Sequence, residues 1–330
     1  MERKGIIGAG NWIVDNIKYI DRWAGEGNLC TVTGQEMATG GGPTNVLFDI
    51  AAMNCDIPLY AAGRIGKDAL GSFLLDEIKK RNINTDNIIL TDTATSYTDV
   101  MSGNGKRSFF CFRGSNSEFD CPDVENVDFP AKWFYLGYLL LLDKLDSEDA
   151  EYGTRGARML DMMQKKGYKT IVDFVSEAPE RFRKVVKAAL PYIDALVINE
   201  VEAGNTFGFN TFNEDGTANV SEIRKAAIEF MKSGVREYVI IHYRDGAFGI
   251  DAAGNECEVK SFEVDNIVGT NGAGDAFCAG VLYALHEEKS LEEMLKYGGA
   301  SAVFNLRSAS ASGGAATLDE INGFLNSHLS

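Results

Sequence analysis

Ala195-Leu196-Val197-Ile198-Asn199-Glu200-Val201-Glu202 is a short apolar run that breaks directly into polar residues and then a helix. Such a run predicts a strand buried on both faces over Ala195–Ile198. The same type of segment recurs at Gly5–Gly8, Leu59–Gly63, Trp133–Gly137, Thr170–Phe174 and Tyr238–His242. Between these runs lie segments with apolar residues at three- and four-residue steps: Pro43–Met53, Ala69–Arg81, Ser147–Lys166, Ser221–Ser233, Gly274–His286 and Leu291–Asn305. Strand followed by helix, repeated, needs crossover connections, which give a parallel sheet covered on both faces. The expected fold is α/β, a doubly wound, mostly parallel sheet flanked by helices.

Two stretches break the alternation. Residues 95–113 contain Ser96-Tyr97-Thr98-Asp99-Val100-Met101, a Gly103-Asn104-Gly105 turn, and Arg107-Ser108-Phe109-Phe110-Cys111-Phe112, the pattern of a hairpin. Residues 12–33 are polar and aromatic without helical period. Both are assigned to a small antiparallel sheet that stands off the main body, as a lid or an edge decoration. No repeat and no Pro- or Ser-rich linker divides the chain, so residues 1–330 read as one domain carrying those insertions.

Composition narrows the function classes. The 330 residues carry 32 Lys and Arg against 48 Asp and Glu, a net charge of −16. A surface that acidic repels phosphate backbones and anionic lipid, so neither nucleic acid nor membrane is expected as a partner. The longest apolar stretch, Trp133 to Leu142, is too short to span a bilayer, and the N-terminus lacks a signal-peptide core. The six cysteines are scattered without a Cys-x-x-Cys pair, which argues against a zinc site and for reduced thiols. A cytoplasmic location is the expectation.

Three glycine-rich or strand-end segments carry the chemistry. Thr270-Asn271-Gly272-Ala273-Gly274-Asp275 opens an apolar helix, where backbone amides without bulky side chains can meet an anion at the positive end of the helix dipole. Asp275 in the first turn could accept a hydroxyl proton, although that same dipole should lower its pKa. Gly40-Gly41-Gly42-Pro43-Thr44-Asn45 leads into another helix, and it would let a polyol approach the backbone beside the Asn45 amide. Asp15 could add a charged acceptor. Asn199 and Glu202, three apart at a strand end, could face phosphates and hold the waters of a magnesium ion. Taken singly, each of these residues also has a plainer use as turn punctuation, helix cap or solvated charge.

In order and spacing these segments resemble the ribokinase-like carbohydrate kinases, the PfkB family, across nearly the whole chain. Gly272-Ala273-Gly274-Asp275 is similar to that family's C-terminal signature, and Gly40-Gly41-Gly42-Pro43-Thr44-Asn45 to its diglycine motif. Gly63-Arg64-Ile65-Gly66-Lys67-Asp68-Ala69-Leu70-Gly71 and Asn199-Glu200-Val201-Glu202 resemble two further motifs. The resemblance implies ATP-dependent phosphorylation of a hydroxymethyl group on a ribokinase-like fold with a small β-sheet lid, which often also makes a homodimer contact. It implies Asp275 as the base, with Gly272, Ala273 and Gly274 as the anion hole. Asp15, Gly41, Gly42 and Asn45 would contact the sugar. Asn199, Glu202, Thr270 and Asn271 would contact the nucleotide, with Glu202 on magnesium through water.

The chain departs from the family in two places. Gly269-Thr270-Asn271 lacks the carboxylate of the usual monovalent-cation site, so that dependence is not carried over. His242-Tyr243-Arg244-Asp245-Gly246 stands where Thr-x-Gly-x-x-Gly is common, with Tyr243 replacing a nucleotide-facing glycine. The leading expectation is an ATP- and Mg2+-dependent kinase of a small unphosphorylated sugar. A nucleoside kinase of the adenosine type, or an inactive ligand sensor, is the alternative. A dinucleotide-dependent oxidoreductase, suggested by Gly8-Ala9-Gly10, fails because Ile13 stands where the third glycine is needed.

Overall fold

The structure, a computed structural model, describes residues 3–175, 179–264, 266–308 and 310–328. The chain opens with β1 (Gly5–Gly10), buried at every residue, and passes into β2 (Ile13–Ile20) and β3 (Val32–Gly40). Then follow α1 (Gly42–Ala52), β4 (Leu59–Gly66), α2 (Ala69–Lys80) and β5 (Asn84–Thr91). A hairpin of β6 (Tyr97–Gly103) and β7 (Lys106–Phe112) precedes β8 (Ala131–Leu139). The one-turn α3 (Asp143–Asp146) and two-residue β9 (Glu148–Asp149) and β10 (Gly153–Thr154) lead to α4 (Arg155–Lys165), β11 (Lys169–Phe174) and α5 (Pro179–Ala189). Next come β12 (Ala195–Asn199), α6 (Glu200–Phe207), α7 (Val220–Lys232) and β13 (Tyr238–Tyr243). The chain ends through β14 (Gly246–Asp251), β15 (Glu256–Lys260), α8 (Ala273–His286), α9 (Leu291–Leu306) and α10 (Leu318–His328).

Nine strands form the main sheet in the order β15-β14-β13-β12-β11-β8-β1-β4-β5, parallel from β13 to β5 and antiparallel at β14 and β15. Side chains alternate across it. On β8, Phe134 and Leu136 join Leu160 of α4 and Phe182 of α5, whereas Trp133 and Tyr135 join Phe48 of α1 and Leu282 of α8 on the other face. Each large apolar side chain so buried stabilises the fold by about 1.5–3 kcal/mol. The strand order reverses at β1, so β1 and β8 flank the crevice where ligands of such sheets collect.

The smaller sheet has the order β3-β2-β6-β7. Its β6–β7 hairpin turns at Asn104 and Gly105, with φ of 51° and 70°, the left-handed pair such a two-residue turn needs. Two expectations are corrected. β2 and β6 pair in parallel, not antiparallel, because β4, α2 and β5 intervene and carry the chain back to the same end. β3 also runs on to Gly40, beyond residue 33, and delivers the chain straight into the Gly41 turn.

The helix expected over Ser147–Lys166 begins only at Arg155. Gly153, at φ 80°, and Thr154, whose hydroxyl accepts from the Ala157 amide, stop it from extending backwards. Residues 148–154 instead form a tight turn held by Arg158 on the Asp149 carboxylate, at 2.6 Å.

Candidate functional site

The carboxyl ends of five parallel strands converge on one cavity of about 500 Å3. β1 gives way there to Asn11, β8 brings Tyr138, β11 brings Asp173, and β12 and β13 bring Asn199 and His242. The smaller sheet covers the opening with Asp15, Thr98, Phe109 and Cys111. A second cavity of about 730 Å3 adjoins it, walled by Tyr243, Arg244, Phe262, Leu295 and Val303. Asn199, His242 and Gly274 line both. His242 therefore stands at the junction, its ring 4.9 Å from that of Phe277, and burial lowers its pKa to about 4, so the imidazole is neutral at physiological pH.

The turn into α8 determines what faces that junction. Gly272 sits at φ 75°, and a Cβ there would overlap the carbonyl of Ala311, so only glycine fits. The helix starts at the next residue, where first-turn amides have no carbonyl partner within the helix; the Ala273 amide makes one long bond, to the Thr270 carbonyl at 3.4 Å. Asp275 follows, 7% exposed. Its Oδ2 accepts from Asn45 Nδ2 at 2.9 Å, and its Oδ1 accepts from the Tyr138 hydroxyl at 2.7 Å.

Burial pushes the Asp275 pKa up to about 6, against the pull of those two hydrogen bonds. The sequence reading, which weighed only the helix dipole, has the opposite direction; burial of the carboxyl in the folded protein outweighs it. Asp15 is raised to about 7 by burial and by the Asp275 charge, with Arg107 acting the other way. Asp173 is held well above its ordinary value by burial, and it accepts from the Tyr135 hydroxyl at 2.6 Å.

Asp15, Gly41, Asn45, Asn199, Glu202, Asn271, Gly272, Gly274 and Asp275 all line the first cavity, and Thr270 and Ala273 line the second. Gly42 lines neither; it lies beneath the rings of Tyr135 and Tyr138, where a Cβ would come within 2.7 Å of the Tyr135 oxygen. Asn199 and Glu202 turn out to cap each other. Asn199 Oδ1 accepts from the Glu202 amide at 2.9 Å and Glu202 Oε2 from the Asn199 amide at 3.1 Å. Capping and lining are thus the same arrangement here. In the stretch 305–314, of which Ala309 lies outside the described residues, the Ala311 carbonyl packs against Gly272.

Tyr138, Asp173, Asn11 and His242 were not singled out as site residues from the sequence. Their signal was positional, since each stands at or just past the carboxyl end of a parallel strand. Among the described residues, no cluster of His, Cys, Asp and Glu could by itself hold a metal ion, and no helix is long and apolar enough to cross a membrane.

Comparison with known proteins agrees with this geometry. The chain is 25% identical over 296 residues to the 5-dehydro-2-deoxygluconokinase of Geobacillus kaustophilus, covering 88% of this chain and 85% of that one. It is 25% identical over 279 residues to adenosine kinase 2 of Arabidopsis thaliana, covering 78% and 75%. The structure of Arabidopsis thaliana ribokinase complexed with ribose and ATP superposes with a TM-score of 0.80 over 98% of this chain and 99% of that one, at 20% identity, a likeness of fold. The profile of the pfkB family carbohydrate kinases matches residues 9–318. That match runs from the end of β1 to the start of α10 and takes in both glycine turns and the Asp275 carboxyl between them, so the chain belongs to the PfkB family of carbohydrate kinases, phosphotransferases acting on a sugar hydroxyl.

Proposed function

We propose that the protein transfers the γ-phosphate of ATP to a hydroxymethyl group of a small, unphosphorylated sugar, with Asp275 as the base. The observation that carries the reading is the meeting of two cavities at Gly274, beside a buried carboxylate that is already oriented by Asn45 and Tyr138.

The residues present fit a nucleotide. The larger cavity offers Phe262, Val264, Leu295 and Val303 to a flat base, and its inner end reaches the amides at the head of α8. Magnesium would be held by substrate phosphates and water, with Glu202, which lines the acceptor cavity beside Asn199, as its protein carboxylate. ATP supplies the transferable phosphoryl group and magnesium offsets its charge.

The chain's own residues do the rest. The Gly272–Gly274 amides hold the migrating group, and His242 closes the gap beside it as a neutral ring. As the acceptor oxygen bonds to the γ-phosphorus, the bond from phosphorus to the β–γ bridging oxygen breaks and the alcohol proton passes to Asp275. Alignment matters more than basicity in such a loose transition state. A carboxylate of pKa about 6 is still a better base at neutral pH than an ordinary aspartate.

The acceptor cavity disfavours phosphorylated sugars. Glu202 and Asp275 line it with Asp15 and Asp173, and no Lys or Arg is among its described lining residues: Arg113 donates to the Leu140 carbonyl at 3.1 Å, and Arg107 on β7 lies outside the lining although its charge reaches Asp15. A nucleoside is the second reading, favoured by Phe109, 60% exposed, which lines the same cavity with Leu141 and Phe174. Retention of Asp275 in an organised setting speaks against the sensor. ADP release from MgATP, measured across pentoses, hexoses, sugar acids and nucleosides, tests the proposal. At least one unphosphorylated sugar should raise turnover above the acceptor-free rate by 100-fold or more, on the order expected of positioned general-base catalysis. A response confined to nucleosides would shift the assignment to the second reading, and no response from any acceptor would reject both.

A further inference from the structure

Tyr138 adopts φ 59°, a left-handed conformation that a bulky side chain rarely takes unless its surroundings impose it. It follows β8 residues that are extended and buried, so the kink falls at the carboxyl end of a strand at the mouth of the acceptor cavity. The surroundings are on view. Its backbone amide donates to Asp173 Oδ1 at 3.2 Å, and Asp173 is itself fixed by the Tyr135 hydroxyl. Its ring covers Gly42, where a Cβ would come within 3.0 Å of Tyr138 Cδ1, so the diglycine turn leaves room for it. The outcome of this strained placement is a single directed contact, the hydroxyl on Asp275 Oδ1.

We infer that Tyr138 is a positioning residue for phosphoryl transfer: its kinked backbone, tied to Asp173, aims a hydroxyl that fixes the Asp275 carboxylate before any acceptor arrives. The inference rests on the reading of Asp275 as the base. With Asn45 on the other oxygen, both carboxylate oxygens are engaged, and each retains acceptor capacity for an alcohol in the cavity that Asp275 lines. A preset carboxylate has no reorganisation to undergo at the moment of transfer.

Other ionisable groups surround Asp275: Asp15 from β2, Asp49 from α1, Asp173 from β11, Glu202 from α6, His242 from β13 and Cys278 from its own helix. The two hydrogen bonds that lower the Asp275 pKa come from Tyr138 and Asn45, so removing one hydroxyl leaves the charges in place and tests one contact. Tyr138→Phe keeps the ring, the kink and the amide bond to Asp173.

The test is infrared titration of the ligand-free protein, following the protonated-carboxyl signal that vanishes in Asp275→Asn. In the native protein its midpoint should lie at about 6. In Tyr138→Phe it should move upward by about one pH unit, because the charged form has lost a donor. With an acceptor found by the panel, kcat should fall roughly 10- to 100-fold while KM for ATP holds. A midpoint that does not move overturns the inference, whatever happens to thermal stability, since a purely structural tyrosine would change only the latter. The underlying reading fails separately, through near-normal turnover of Asp275→Asn.

Discussion

Asp275→Asn is expected to lower kcat about 1,000-fold while leaving ATP affinity close to native. The substitution keeps shape and one acceptor oxygen. The new amide also finds a partner, because Asn45 Oδ1 is buried without one and a flip of the Asn45 amide turns it toward residue 275. Folding should therefore survive, and at alkaline pH it should improve. The Asp275 pKa is raised from 3.8 to about 6, so the folded state binds this proton more tightly than the unfolded chain. Its contribution to stability is then present at low pH and is lost as pH rises between those two values. At pH 8 the variant should accordingly melt higher than the native protein, and near pH 4 that advantage should disappear. Native activity should run the opposite way, falling as pH drops through about 6 and the base becomes protonated. Steady-state kinetics and thermal melts at the two pH values check all of this; a variant that turns over at near-native rate removes Asp275 from the chemistry.

Gly272→Ala should have the second largest effect, a loss of roughly 100-fold or more in kcat with a lower melting temperature. The added methyl must occupy the space of the Ala311 carbonyl, at a φ of 75° where an L-residue is strained by about 1–2 kcal/mol. Either the 308–314 stretch gives way or the head of α8 does. In both cases the amides of Gly272–Gly274 leave their alignment, and a displacement of about 1 Å at a reacting group suffices for a loss of that size. Gly105→Ala is the matched control: φ there is 70°, but a Cβ meets nothing within 4 Å. It should cost some stability in the hairpin and leave kcat at native level. If both variants keep native turnover, the turn before α8 does not hold the transferring phosphate.

Much of the fold follows from local pattern. The Ala195–Ile198 run became β12 of the main sheet, and the Asn104-Gly105 turn joined two strands where it stood. Other elements carried the same signal and were passed over. α5 presents Phe182, Val185, Val186 and Ala189 at helical spacing among charged residues, and β14 and β15 close the sheet as an antiparallel edge that the strand–helix alternation does not foretell. β3 was hidden because five of its nine residues are exposed, Val32 and Met37 among them, so no apolar alternation marks a buried face.

The site divides along a different line. Residues on glycine turns and helix starts were legible, because a turn leaves its composition in the sequence. Tyr138 was not. Its importance lies in a backbone angle and in a contact with a residue 137 positions away, and neither leaves a mark in local sequence. The protonation behaviour of Asp275 was misjudged for the same reason. The dipole of its own helix can be read from the chain, whereas the burial that outweighs it arises only when distant elements pack around the carboxyl.

The most direct test is a crystal structure with Mg2+ and a nonhydrolysable ATP analogue carrying a methylene group between the β- and γ-phosphorus atoms. The account requires the base between Phe262 and Val303 in the larger cavity, the γ-phosphate against the Gly272–Gly274 amides, and the Asp275 carboxylate facing phosphorus across the space left for an alcohol. A terminal phosphate bound away from that turn, or a base lodged beneath the smaller sheet beside Phe109, would contradict it.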